Sequence, residues 1–218
     1  MIEAVFFDLD GTLADSAPDL HAAMNRLLAE EGRPAAPIAS FRPHVSGGAP
    51  AMLGAAFGVT PEHHGYGALR LRFLDHYEAA PCVETRLFPG VPALLDALDA
   101  RSIVWGVVTN KTERFTRRVA AALGLDTRAA CVISGDTTPR PKPAPDPLLL
   151  ACKLAGIAPR ASAYVGDDLR DIQAARAAGM RAVAATWGYI GDGLPVSEWN
   201  ADEIIDHPDA LIGRLRFS

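Results

Sequence analysis

The sequence predicts an α/β protein: a doubly wound parallel sheet with an all-helical segment inserted after its first strand. Three observations predict it. Five short apolar runs are rich in β-branched or aromatic residues, the pattern of strands buried on both faces. Helical periodicity separates the last four. Between residues 16 and 88 no convincing strand pattern occurs.

The first run is IEAVFFD (2–8). Beyond it Leu20, Ala23, Met24, Leu27 and Leu28 fall at i, i+3, i+4, i+7 and i+8, an amphipathic helix that Gly32 should stop. GALRLRFLDHYEA (67–79) reads as a second helix, and RLFPGV (86–91) as the linker back. Residues 1–15 and 89–218 are therefore expected to form a core domain, with residues 16–88 as a helical cap. VPALLDALDA (91–100) is a helix leading into the second strand, SIVWGVVT (102–109). The helix TERFTRRVAAALG ends at Gly124, and the third strand is AACVIS (129–134). DPLLLACKLAG has Asp146 as its expected N-cap, Pro147 at its first helical position and Gly156 just past its end. The fourth strand, ASAYVGD (161–167), runs into LRDIQAARAAG, a helix ending at Gly179, and RAVAAT (181–186) is the fifth.

Size and composition narrow the function. The chain has 218 residues, 49% hydrophobic and 22% charged, enough for one α/β domain with a subdomain. A net charge of −5 without a Lys/Arg-rich block argues against nucleic acid as a partner. No apolar run approaches the ~20 residues of a membrane helix. No basic segment followed by an apolar core opens the chain, so a cytoplasmic location is expected. Cys82, Cys131 and Cys152 are scattered and odd in number, as reduced core thiols would be. His63 and His64 lack a third ligand nearby and read as solvated loop. Only Lys111, Lys142 and Lys153 among the 21 basic residues are lysines, so each lysine raises a chemical question.

In open parallel sheets ligands bind beyond the carboxyl ends of the strands. Those ends hold Asp8 and Asp10, then Thr109 and Asn110 with Lys111 next, then Asp167 within GDDLRD. Carboxylates are costly to desolvate without a cation or donors. Clustered acids suit Mg²⁺, a hard cation that takes oxygen ligands. An Asp can attack phosphorus, and a second acid two residues later can protonate the leaving oxygen and then activate water.

DLDGT (Asp8–Thr12), VVTN (Val107–Asn110), RPKP (Arg140–Pro143) and VGDDLRD (Val165–Asp171) stand in the order of the four motifs of the haloacid dehalogenase-like hydrolase superfamily. The chain resembles that superfamily along essentially its whole length. The resemblance implies a Rossmann-like core and a helical cap of type 1. It implies Asp8 as nucleophile, Asp10 as acid/base, Thr109, Asn110 and Lys142 as the phosphate site, and a Mg²⁺ site of Asp8, Asp167 and the Asp10 carbonyl. Asp168 and Asp171 would support that site from behind, although either could instead cap the following helix.

VSGGAPAML, WGVVTNK, VGDDLRDI and the tail with WGYIG are similar to the phosphoglycolate phosphatase group, especially its N-acetylmuramic acid 6-phosphate phosphatase branch. The expected activity is Mg²⁺-dependent hydrolysis of a small phosphorylated metabolite through an aspartyl-phosphate, on phosphoglycolate or alternatively on N-acetylmuramic acid 6-phosphate. A sugar-phosphate mutase and a non-catalytic phosphate-binding regulator are the rivals. A dehalogenase needs no Asp10, and a phosphonate hydrolase of this superfamily needs a cap lysine, which no residue before Lys111 supplies. In the cap, Arg42, His44, Ser46, Gly47 and Gly48 are expected to face the substrate from a loop, because the core motifs touch only phosphate and metal.

Overall fold

The computed structural model describes residues 1–217. Its centre is a six-stranded sheet in which every pair is parallel. The strands are β1 (Ala4–Phe7), β4 (Val104–Val108), β5 (Val132–Ile133), β6 (Ser162–Gly166), β7 (Arg181–Ala185) and β8 (Glu203–Ile205), in the spatial order β5-β4-β1-β6-β7-β8. β1 lies between β4 and β6, with Phe7 level with Val107 on one side and Val165 on the other. Its four residues are all buried, and alternate side chains serve opposite faces. Val5 and Phe7 enter one apolar cluster, Ala4 and Phe6 the other. Helices α5 (Val91–Ala100), α6 (Glu113–Ala122) and α9 (Ala210–Arg214) cover the first face. Helices α7 (Asp146–Ala155) and α8 (Leu169–Ala178) cover the second.

The chain winds from β1 towards β5 on one side, then crosses to β6 and continues outward. The reversal places a crevice at the carboxyl ends of β1, β4 and β6. The fold agrees with the expected α/β class, but three local details differ. The third strand shrinks to Val132–Ile133. The edge strand β8 is an additional element that pairs with β7. Asp146 is the first helical residue of α7, and Pro145 occupies the capping position.

The insertion contains α1 (Ala17–Glu30), the short α2 (Ile38–Phe41), α3 (Gly48–Phe57) and α4 (Tyr66–Ala79). α1 buries the expected stripe of Leu20, Ala23, Met24, Leu27 and Leu28. Their apolar face is continuous with the cluster on the first face of the sheet, where Leu53, Phe73 and Tyr77 also lie. Truncating a side chain buried as fully as Phe73 typically costs about 3–5 kcal/mol.

Both connections of the insertion are tied down. β2 (Ala14–Asp15) and β3 (Arg86–Leu87) pair as an antiparallel ribbon. The buried Asp19 carboxylate accepts hydrogen bonds from the amides of Val83, Glu84 and Thr85 and from the Thr85 hydroxyl. No helix among the described residues is long and apolar enough to cross a membrane.

Candidate active site

The DLDGT segment makes the floor of the crevice. Asp8 extends β1, its amide bonded to the Val165 carbonyl at 2.9 Å. Leu9 turns into the core, which aims Asp10 back at the crevice. Gly11 has φ +89°, and a Cβ there would lie 2.1 Å from an Asp167 carboxylate oxygen. Only glycine fits the conformation and the space. Gly188 presses on Asp167 from the other side, where a Cβ would lie 2.4 Å from that of Asp167. The Thr12 hydroxyl donates to Asp167 at 2.8 Å.

Asp8, Asp167 and Asp171 present carboxylate oxygens that lie within 4.8 Å of one another. All three are buried. Burial, then the neighbouring Asp8 and Asp171, push the Asp167 carboxyl well above its ordinary range despite donors from Tyr189 and Thr12. Burial also pushes Asp171 up to about 7, against the pull of Lys142. Three buried acids so placed repel one another unless positive charge joins them. An all-oxygen donor set of this kind fits a hard cation such as Mg²⁺.

Lys142 supplies one positive charge. Its ammonium donates to Asp8 at 2.8 Å, Asp171 at 2.7 Å and the Tyr164 hydroxyl at 2.6 Å. The Tyr164 hydroxyl in turn donates to the Val108 carbonyl at 2.6 Å. Burial alone would lower the lysine, but Asp171 and Asp8 outweigh it and hold the ammonium above its usual value. Asn110 fixes the loop that delivers Lys142. Its side-chain amide donates to the Lys142 carbonyl at 2.9 Å, and its carbonyl accepts from the Lys142 amide at 3.0 Å. Thr109 is buried at the end of β4, its hydroxyl accepting from the Lys111 amide at 3.2 Å.

Asp10 sits apart from the acid group. Lys111 donates to its two oxygens at 3.1 and 3.0 Å, and Ser16 at 2.5 Å. Asp168 also stays outside the group. It caps α8 through the Arg170 amide at 2.9 Å and pairs with the Arg170 guanidinium at 2.7 Å. Asp171 completes this capping box through the Asp168 amide at 3.0 Å. Asp171 thus joins the acid group directly, although the motif reading placed it behind.

A cavity of about 350 Å³ opens over these residues. Asp8, Asp10, Thr109, Asn110, Lys111 and Arg170 form its floor, and α1, α3 and α4 its roof. Of the cap residues expected at the substrate, Ser46, Gly47 and Gly48 line it. Gly47 and Gly48 are the start of α3 rather than a free loop. Arg42 and His44 are not among the lining residues. Arg42 is drawn away by an ion pair with Asp15 and by the Tyr189 ring, 5.6 Å from its guanidinium. Ser46 instead bonds the insertion to the floor. Its hydroxyl donates to Asp167 at 2.9 Å, and its carbonyl accepts from Arg170 at 2.5 Å.

Tyr189 is a residue whose place the sequence pattern does not reveal. Its amide donates to Asp167 at 2.9 Å, and its hydroxyl donates to Asp15 at 2.7 Å and accepts from the Ala17 amide at 2.9 Å. It thus joins the acid group to the start of the insertion.

A model of the haloacid dehalogenase-like hydrolase family matches residues 2–179. The chain belongs to the haloacid dehalogenase-like hydrolases. Two similar proteins are phosphatases. A phosphoglycolate phosphatase of Xanthomonas campestris pv. campestris is 47% identical over 209 residues, covering 95% of this chain and 94% of that protein. An N-acetylmuramic acid 6-phosphate phosphatase of Pseudomonas putida is 44% identical over 207 residues, covering 95% and 93%. These relatives place the chain among the phosphoric monoester hydrolases of the family. Among solved structures, a predicted phosphoglycolate phosphatase from Haemophilus somnus is similar, with a TM-score of 0.84, 29% identity and 97% of each chain covered.

Proposed function

We propose that this hydrolase cleaves a small organic phosphate monoester with Mg²⁺ through an aspartyl-phosphate on Asp8. One observation carries the reading: Asp8, tethered to Lys142, and Asp10, tethered to Lys111, face the same cavity from adjacent points. A carboxylate oxygen of Asp8 attacks phosphorus, and the bond from phosphorus to the organic oxygen breaks. Asp10 gives that oxygen a proton. Asp10 then takes a proton from water, the water oxygen attacks phosphorus, and inorganic phosphate leaves with Asp8 restored. Thr109 and Lys142 hold the phosphoryl oxygens, with Asn110 fixing the Lys142 loop. Asp8, Asp167 and the Asp10 carbonyl would hold the metal, with Asp171 beside them. Bound there, Mg²⁺ would offset the charge of the acids and of the phosphoryl group.

The relatives suggest 2-phosphoglycolate or N-acetylmuramic acid 6-phosphate as the ester. The cavity favours the bulkier of the two, because its roof of Leu20, Val45, Met52, Phe73 and Leu74 would have little to touch on a two-carbon acid. A cytoplasmic setting suits the three free thiols, of which burial pushes Cys131 up to about 11 and so keeps it protonated. Release of inorganic phosphate from these two esters, with Mg²⁺ and with excess chelator, tests the proposal. Full activity in chelator would defeat the metal assignment.

The acid group also sets a pH dependence. Free carboxyls in an unfolded chain ionise near pH 4. Asp171 in the folded chain holds its proton up to about pH 7. Between those values the folded state binds more protons, so metal-free stability falls as pH rises through that window. A cation needs the ionised groups and competes with those protons. The gain in melting temperature on adding Mg²⁺ is therefore expected to be larger at pH 8 than at pH 5.5, read by differential scanning calorimetry. An equal gain at both pH values would place the cation elsewhere.

A further inference from the structure

The core motifs account for phosphate and metal, and the loop at Arg42–Ser46 leaves the cavity mostly to other residues. α3 and α4 share most of the roof. Arg70, Phe73, Leu74 and Tyr77 all line the cavity, and their spacing of i, i+3, i+4 and i+7 puts them on one face of α4. Seven residues at 1.5 Å each separate the ends of this row by about 10 Å.

The two ends differ in a telling way. Tyr77 is 1% exposed, and among the described residues its hydroxyl makes no well-formed hydrogen bond; its polar neighbour, the Lys111 ammonium, is turned to Asp10. Buried polar groups in native proteins are nearly always paired, so a poorly paired hydroxyl, itself closed to solvent, on a residue that lines a cavity points to a group that reaches it when the cavity is filled. Beside it stands Lys111, whose ammonium lies 4.7 Å from the Tyr77 ring centre and holds Asp10. Tyr77 therefore sits next to the residue that would handle the leaving oxygen. At the other end Arg70 is exposed at the cavity rim and, among the described residues, donates no hydrogen bond and pairs with no acid. Two residues on, Arg72 is engaged by Glu30 and Glu31, and Arg42 and Arg170 also have carboxylate partners. Between the ends lie only apolar groups, Phe73 and Leu74 on α4 with Met52 beside them.

We propose that this face of α4 reads the leaving group: Tyr77 bonds an oxygen close to the ester, Phe73, Leu74 and Met52 pack an apolar middle, and Arg70 takes a carboxylate at the far end. This rests on the phosphatase reading and specifies its substrate class. The ester would carry an organic part several bonds longer than a two-carbon acid, ending in an anion. Arg70 suits that end because its planar fork matches a carboxylate.

The test compares the wild type with Arg70→Gln, Arg70→Lys and Tyr77→Phe. N-acetylmuramic acid 6-phosphate and N-acetylglucosamine 6-phosphate are the paired probes, because they share a body and differ by the carboxylate-bearing ether. Arg70→Gln should lower kcat/KM on the carboxylated ester about thirtyfold and on its partner less than threefold. Arg70→Lys should recover part of that loss. Tyr77→Phe should raise KM about tenfold on both esters without lowering the melting temperature, because the hydroxyl removed makes no well-formed hydrogen bond among the described residues. Equal losses on the two esters in Arg70→Gln would overturn the assignment of Arg70. An unchanged KM in Tyr77→Phe, with or without a lower melting temperature, would reduce Tyr77 to packing. A wild type that releases phosphate from neither sugar nor from an aryl phosphate would sink the phosphatase reading itself, and this one with it.

Discussion

Asp8→Asn is expected to abolish turnover while leaving the fold intact. The amide is isosteric, and its oxygen can still accept the Lys142 proton that Asp8 accepts at 2.8 Å. What it loses is the nucleophile: an amide oxygen does not form a stable bond to phosphorus and binds a cation less well. The loss should reach at least a thousandfold in kcat. Retention of more than about one per cent, equivalent to less than ~3 kcal/mol of transition-state stabilisation, would show that another group attacks. A second readout separates chemistry from collapse. Removing one of three mutually repelling acids should raise the melting temperature of the metal-free chain by a few degrees, since roughly 1 kcal/mol shifts a protein of this size by about 2–4 °C. Circular dichroism melts beside the phosphate assay give both numbers.

Lys142→Met should do the reverse and damage fold and activity together. Its ammonium is the shared donor for Asp8, Asp171 and the Tyr164 hydroxyl, and all four groups are buried. Breaking a buried charge network by removing one partner typically costs about 3–5 kcal/mol, because the remaining charges keep their desolvation cost. A urea melt should register a loss of that order at pH 8. Part of it should return at pH 5, where a carboxyl already pushed up to about 7 takes a proton and no longer needs the cation. Activity should fall more than a hundredfold at either pH, since the phosphoryl charge also loses its counter-ion. A variant as stable as the wild type at pH 8 would mean that the acids are compensated by something else.

The core of the site was legible because its signals are local. A buried strand that ends in Asp8 and Asp10, or in Thr109, announces itself through contrast with the apolar run before it. Elements whose reason is tertiary were not legible. β8 offers only Ile205 to the core and exposes Ile204, so it carries no strand pattern of its own. α3 begins Gly-Ala-Pro after another glycine, a composition that reads as loop. In the structure the proline sits in the first turn, where a missing amide costs nothing. Arg42 looked substrate-facing because it stands near that glycine pair, but Asp15, its partner, lies 27 residues away in the chain. No local pattern tells a well-bonded phenol such as Tyr164 from a poorly paired one such as Tyr77. Asp168 and Asp171 were ambiguous between cap and site, and the structure divides them: both serve the capping box, and only Asp171 also reaches Lys142 and the acid group.

The ribbon of β2 and β3 bears on how the chain folds. It brings Ala14 beside Leu87, so the insertion leaves the core and returns to it at adjacent points. Closing an unstructured loop of roughly seventy residues costs roughly 4 kcal/mol in chain entropy, with only about 0.6 kcal/mol added for each doubling in length. Because the ribbon itself closes that loop, the penalty is met by this short pairing at the root and not by the registry of β1 with β4. The sheet can therefore zip across the insertion's root whatever state its helices have reached. The same adjacency makes the root a natural splice point, where a different insert could be exchanged without re-threading the strands that carry Asp8 and Thr109.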